Sequence, residues 1–330
     1  MKKIILGIVL FLFAVVGIIF VNNDITKTKK DNLKNVKVAE VAHSIFYAPQ
    51  YIAVKKGYFK DEGLNVEIVL TPGADKVAAA VMSKDVEIGF CGSEQSIYVY
   101  NSGKKDYLFN FAALTKRDGS FIVSRKKEKD FKLENLKGKY IIGGRKGGMP
   151  EMTLEYTLKE NNIDLKDLTI DTSVEFASMA SAFISGTGDY VTLFEPNATM
   201  VEKQGKGYVV GYVGEYGGSV PYTSYNALKS YIKKNPETIK SFTNAINKGL
   251  DYVHKTDNEK LAKELVEFFP DMTINDLEKM IKRYKDNDAW MKNTNLTKKD
   301  FDHMQDIVIE AGIIKKKVPY KKLVDTSFSK

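Results

Sequence analysis

Residues 36–70 read VKVAEVAHSIFYAPQYIAVKKGYFKDEGLNVEIVL, and the order of local signals in them decides the fold class. Val36 to Val41 alternates as a half-buried strand does. His43 to Tyr47 makes a loop, and Ala48 to Lys56 has helical spacing through Tyr51, Ile52 and Val54 until Gly57 ends it. Asp61-Glu62-Gly63 is a turn and Val66 to Leu70 a second strand. Further out, Pro72-Gly73 opens a helix through Val77, Ala80 and Val81, and Val86 to Phe90 is a third strand. Strands alternating with helices mean a mostly parallel sheet with helices on its faces.

The same order recurs later in the chain. Lys139 to Ile142 is a strand, Gly143 to Gly148 a loop, and Pro150 to Glu160 a helix with proline in its first turn, where a missing N–H costs nothing. Leu168 to Ile170 is the next strand, and the small-residue helix Ala177 to Ile184 leads through Gly188-Asp189 to the strand Tyr190 to Phe194. Two βαβ-type modules make the chain an α/β protein. Beyond Tyr222 the pattern is mostly helical. Asn235-Pro236-Glu237 reads as a cap, and Ile239, Phe242, Ile246, Leu250 and Val253 mark one buried face. Thr273 with Asp276 and Thr297 with Asp300 resemble capping boxes, Gly312 ends the last helix, and Trp290 reads as a core anchor.

At 330 residues the chain is long enough for about two domains, and 43% hydrophobic with 28% charged residues excludes disorder and a polytopic membrane protein for its body. The net charge of +8 is spread over many lysines without an arginine-rich stripe, so nucleic-acid binding is not expected. One cysteine, Cys91, and three histidines, His43, His254 and His303, offer neither an internal disulfide nor a zinc-ligand spacing. After Lys2 and Lys3, the apolar run Ile4 to Val21 approaches the length that spans a bilayer. No small-x-small cleavage site closes it, which favours an uncleaved anchor on the extracytoplasmic face; secretion after signal cleavage is the alternative. Residues 1–23 are thus read as a membrane anchor or signal segment and 24–35 as a polar tether.

In open α/β sheets, ligands bind beyond the carboxyl ends of the strands. That rule selects His43-Ser44-Ile45-Phe46-Tyr47 after the first strand and Cys91-Gly92-Ser93-Glu94-Gln95 after the third. It also selects Gly143-Gly144-Arg145-Lys146-Gly147-Gly148, whose glycines serve either a tight turn or a close approach of backbone to ligand. The spacing there is neither a Walker A loop nor a dinucleotide loop. What it offers is free N–H groups at a helix start, flanked by Arg145 and Lys146, suited to a modest anionic or polar group. Thr115 ends the strand-like run from Leu108, and Glu195-Pro196 follows the strand Val191 to Phe194. A glutamate there can accept hydrogen bonds from a cationic or amide-bearing ligand or make an inter-lobe salt bridge, and the ligand role is taken here. With Tyr222, the candidate ligand-binding set is His43, Ser44, Phe46, Tyr47, Gly92, Ser93, Glu94, Thr115, Arg145, Lys146, Gly147, Gly148, Glu195 and Tyr222. Ser93 lacks the glycines of a nucleophile elbow and no H-E-x-x-H is present, so no catalytic residue, metal or cofactor is expected.

Gly57-Tyr58-Phe59-Lys60-Asp61-Glu62-Gly63-Leu64-Asn65-Val66 resembles the G-Y-F-x-x-E-G-L-x-V signature of bacterial solute-binding proteins that serve ABC importers. Within them the chain is similar to the group that binds aliphatic sulfonates, taurine, nitrate or thiamine-pyrimidine precursors. Val86 to Phe90, the glycine-rich loop before Met149-Pro150, and Thr192-Leu193-Phe194-Glu195-Pro196 carry the same likeness, which covers about Val36 to Lys330. The resemblance implies a type 2 periplasmic-binding-protein-like fold: two α/β lobes joined by two crossovers around a central inter-lobe cleft. By strand order lobe one is 36–116 plus 223–330 and lobe two 117–222. It also implies a small-molecule ligand, ABC permease subunits in the membrane with a cytoplasmic ATPase as partners, a monomer, and no enzymatic activity. Two departures stand out: the lipidated cysteine usual in Gram-positive members is missing, and of the cysteine-rich motif of the related fungal pyrimidine-synthesising enzymes only Cys91 could be a remnant. The alternative is an exported enzyme on the same fold, acting through Cys91 or Glu195. For the ligand, Arg145 and Lys146 suit a sulfonate, whereas Phe46, Tyr47 and Glu195 suit a flat nitrogen heterocycle, and the second is preferred.

Overall fold

The computed structural model of the chain describes residues 33–329. The segment read as an anchor at 4–21, and the tether as far as residue 32, lie outside the described residues. Among the described residues no helix is long and apolar enough to cross a membrane. The tether reading runs too far: the first strand begins at Lys34, where Lys34 and Asn35 already pair with Leu64 and Asn65.

Ten strands follow in chain order: β1 (Lys34–Glu40), β2 (Leu64–Leu70), β3 (Ile88–Gly92), β4 (Leu108–Thr115), β5 (Phe121–Ser124), β6 (Tyr140–Ile142), β7 (Thr169–Asp171), β8 (Tyr190–Leu193), β9 (Tyr208–Tyr212) and β10 (Thr223–Leu228). They form two five-stranded sheets, ordered β2-β1-β3-β10-β4 and β7-β6-β8-β5-β9. The sheets are topological twins. In the first, β1 pairs in parallel with β2 and β3, and β10 lies antiparallel between β3 and β4. In the second, β6 pairs in parallel with β7 and β8, and β5 lies antiparallel between β8 and β9. In each sheet the antiparallel strand is the one that has just crossed over from the other sheet. The molecule therefore has the two-lobed fold expected, with residues 116–120 and 213–222 as the crossovers.

Three strands escape the sequence patterns. β5 and β9 are short, and β5 is buried on both faces, so neither shows a strong period of two. β10 reads as polar, yet all six of its residues are buried at the centre of a sheet. Its polar side chains find distant partners there: Ser224 Oγ donates to Asn110 Oδ1 at 2.8 Å, and Asn226 Nδ2 reaches Cys91 Sγ at 3.5 Å, while Asn226 Oδ1 has no partner. Near the carboxyl end, Thr273 and Asp276 form the capping box expected, and Thr297 accepts from the Asp300 N–H. Asn235 makes no side-chain cap; it accepts instead from Lys34 Nζ at 2.7 Å. Trp290 is 1% exposed and donates its indole N–H to the Phe46 carbonyl at 2.7 Å.

Two late helices close the gap between the lobes. Ile274–Asp286 packs on the first lobe through Asn258–Leu265 and ion-pairs to the second, with Lys203 to Asp276 at 2.5 Å and Lys279 to Glu202 at 2.8 Å. Lys298–Glu310 packs on Met149–Glu160, where Lys159 pairs with Glu310 at 3.4 Å. An aromatic cluster of Phe46, Phe194, Tyr222 and Tyr284 fills the junction, with ring centroids 5.0 to 6.2 Å apart. Gly119 of the first crossover passes so close that a Cβ would sit 2.7 Å from the rings of Phe46 and Phe194.

Candidate functional site

A cavity of about 350 Å³ lies between the lobes. Its walls come from the carboxyl ends of parallel strands in both sheets, as the topology requires. From the first lobe come Val41, Ala42, Ser44 and Tyr47 after β1, Gly73, Ala74 and Asp75 after β2, and Gly92, Glu94, Gln95 and Tyr98 at and after β3. The second lobe gives Arg145 to Pro150 after β6, Phe176 after β7 and Phe194 after β8. Tyr222, Thr223 and Ile313 complete the lining.

Most of this surface is aromatic or aliphatic, and besides Asp75 at the mouth one buried acid stands in it. Glu94 is 1% exposed; its Oε1 accepts from Gln95 Nε2 at 3.1 Å, and its Oε2 has no partner. Burial pushes its carboxyl up from 4.5 to about 7. Gly92 makes room for it, since a Cβ there would lie 2.6 Å from Glu94 Oε1. The Tyr222 hydroxyl is buried as well, near the Asp118 carboxyl. Two hydrogen bonds join the lobes here: Tyr98 donates to the Gly147 carbonyl at 3.0 Å, and Ser44 Oγ donates to the Glu195 carbonyl.

The glycine-rich loop differs from its expectation. Gly144 and Gly147 hold φ of +97° and +76°, so the loop does turn through left-handed conformations. Three of its six N–H groups, however, are already taken, that of Gly143 by the Asp171 carbonyl at 3.1 Å. Gly148 donates to the Arg145 carbonyl at 3.1 Å, and Gly147 donates to Glu151 Oε2 at 3.0 Å. Lys146 stands 3.5 Å from the same Glu151 carboxyl, and Arg145 pairs with Asp75 of the opposite lobe at 3.0 Å. Burial and the neighbouring Glu155 raise the Glu151 carboxyl above its ordinary value, against the pull of the Gly147 N–H and Lys146.

Of the fourteen candidates, nine line the cavity: Ser44, Tyr47, Gly92, Glu94, Arg145, Lys146, Gly147, Gly148 and Tyr222. Five do not. His43 points away, with Nδ1 3.1 Å from Glu40 Oε1, Nε2 2.8 Å from the Phe268 carbonyl and its ring stacked on Phe269. Phe46 is fully buried in the aromatic junction. Ser93 donates to the Pro221 carbonyl at 2.6 Å, and Thr115 Oγ1 accepts from the Thr223 N–H at 3.0 Å, so both tie down the second crossover. Glu195 is the main correction. Its carboxylate is 0% exposed and is taken up by Arg283 Nη1 at 2.6 Å, the Thr199 N–H at 2.8 Å and Thr199 Oγ1 at 3.0 Å. It makes the inter-lobe salt bridge that the ligand reading set aside. Cys91, named with Glu195 in the enzyme alternative, is also fully buried off the cavity, and burial pushes its thiol well above the ordinary range. Among the described residues no group of three or more His, Cys, Asp or Glu could hold a metal ion.

Several lining residues were not anticipated. Gly73, Ala74 and Asp75 follow β2, so the strand-end rule that selected the other loops would have found them. Gln95 ends a selected loop without having been named in the set, and Tyr98 lies one turn further into the helix Gln95–Asn101. Ile313 carries no local signal, because only the packing of the last helix brings it to the mouth.

Comparison with known proteins follows the same lines. The family model described as NMT1/THI5 like matches residues 45–260. YtlA of Bacillus subtilis (strain 168), named there as a candidate binding protein, is 43% identical over 315 residues, 95% of this chain and 94% of its own. Among solved structures, the alkanesulfonate-binding protein SsuA from Xanthomonas axonopodis pv. citri, bound to MOPS, is similar with a TM-score of 0.71 at 14% identity, covering 89% of this chain and 98% of that one. The periplasmic nitrate-binding protein NrtA from Synechocystis PCC 6803 gives 0.69 at 16% identity, covering 90% and 87%. At such identities these two likenesses are of fold.

Proposed function

The chain belongs to the NMT1/THI5-like family, and on that premise we propose that it is the extracytoplasmic solute-binding component of an ABC importer. It captures a small, flat nitrogen heterocycle between its lobes, of the kind a thiamine-pyrimidine precursor represents, in preference to a sulfonate or nitrate. The observation that carries this reading is Glu94: a buried carboxyl with one unpartnered oxygen, lining a cavity whose walls also hold Tyr47, Tyr98, Phe194 and Tyr222. A buried acceptor without a donor is costly, and a ligand bearing an amino group or a protonated ring nitrogen supplies the donor while its ring packs on the aromatics. An anion meets the opposite situation, with an acid at the floor and both mouth cations already beside carboxylates. YtlA, as a candidate binding protein, supports a binding role over a catalytic one.

Native mass spectrometry of the protein purified from its producing cells tests the reading, followed by titration with an aminopyrimidine, taurine and nitrate. An unmodified heterocycle should be recovered, and the aminopyrimidine should bind most tightly. Recovery of a sulfonate, or turnover of the recovered compound, would contradict it.

Residues 4–21 serve as an uncleaved anchor in this reading. The full-length protein should therefore sediment with membranes and stay there through high-salt washing, because salt screens a polybasic contact but not a buried apolar helix. Release by salt would remove the anchor. A chain starting at Leu33 should stay in solution without detergent; cutting after Asn35 instead would delete two residues of β1.

A further inference from the structure

We propose that Asp75 and Glu151 set the charge selectivity of the cleft, by satisfying from within the protein the groups that an anionic solute would need. The inference rests on the reading of the cleft as a site for a hydrogen-bond-donating heterocycle and names what excludes the competing class. A glycine-rich loop leading into a helix start, with two basic side chains beside it, is a ready anion site. Here the Gly147 N–H and both basic side chains have internal counterparts. Glu151 is only 2% exposed and turns back under the loop, where its Oε2 takes the Gly147 N–H at 3.0 Å and its Oε1 lies 3.5 Å from Lys146 Nζ. Asp75 reaches across the mouth from the other lobe to Arg145 at 3.0 Å, and both residues line the cavity. An exposed pair of this kind contributes little to stability. Its effect is on selectivity, since discrimination between solutes is a difference of affinities and the disfavoured class is left without partners. Glu94 below adds a like charge when ionised.

Titration of methanesulfonate, and separately of an aminopyrimidine, against the full-length wild type, Asp75→Ala, Glu151→Ala and the double variant tests the inference. Methanesulfonate should bind the wild type weakly, and the double variant at least about tenfold more tightly. A wild type that binds methanesulfonate as well as the double variant does overturns the proposal. Should Glu151→Ala fail to fold, Asp75→Ala on the exposed mouth carries the test, and an unchanged methanesulfonate affinity in it then overturns the proposal equally. The aminopyrimidine arm judges the underlying reading on its own. A wild type that binds no aminopyrimidine, with variants that gain methanesulfonate, removes the heterocycle and keeps the selectivity mechanism; the reverse result keeps the heterocycle and removes the mechanism.

Discussion

Replacing Glu94 by glutamine should make the ligand-free protein more stable at alkaline pH and a much poorer binder. The Glu94 carboxyl sits at about 7 in the fold against an ordinary 4.5, because burial favours its neutral form. A raised carboxyl holds its proton more tightly in the folded than in the unfolded chain. Its contribution is therefore undiminished below the unfolded value and is lost as pH rises through the folded one. Fully ionised, the group costs the ligand-free fold about 3 kcal/mol. Glutamine fits the same space without that cost, so its melting temperature should match the wild type in acid and exceed it by about 5 °C at alkaline pH. Binding should move the other way. Loss of a charge-assisted hydrogen bond to the ligand weakens affinity by roughly tenfold to a hundredfold. Wild-type affinity should also rise through neutral pH as Glu94 ionises, and that rise should be absent in Glu94→Gln. Scanning calorimetry and titration across pH read both effects. A melting difference that ignores pH, or a glutamine variant that binds as well as the wild type, would discard Glu94 as the ligand's acceptor.

Arg283→Ala is expected to be the most destabilising single change at the lobe junction. The guanidinium, 17% exposed, holds Glu195 Oε1 at 2.6 Å and Glu202 Oε2 at 2.8 Å, so it joins the helix Ile274–Asp286 to the second lobe through two carboxylates. Removing it leaves Glu195 fully buried with only Thr199 as donor to its carboxylate. Breaking a buried pair from one side costs about 3 to 5 kcal/mol, which in a chain of this size lowers the melting temperature by about 5 to 8 °C. The double variant Arg283→Met with Glu195→Gln should recover part of the loss, since no charge is then left unpaired. Glu195→Gln alone should affect ligand affinity less than Glu94→Gln, because Glu195 does not line the cavity. Thermal unfolding of the three variants gives the answer; a single variant as stable as the wild type would mean that the pair carries no net energy.

The strand, loop and helix of residues 36–56, the buried stripe from Ile239 to Val253 and the Thr273–Asp276 capping box were legible in the amino-acid sequence. Each rests on side chains within a few residues of one another, where spacing and geometry are nearly the same thing. The strand-end rule worked for the same reason, bringing eight of its candidates to the cavity wall once two twin sheets were in place. β10 escaped because its buried Ser224 and Asn226 find their partners in Asn110 and Cys91, more than a hundred positions away. Glu94 and Glu195 show the limit most plainly. Both are glutamates just beyond the end of a strand, and both are buried in the fold. Tertiary packing sets Arg283, 88 residues further along the chain, against one of them and leaves an oxygen of the other with no partner. Local chemistry determined the elements and the loops they present; which carboxylate is spent on holding the lobes, and which is left for a ligand, depended on a distant charge that only the folded chain could deliver.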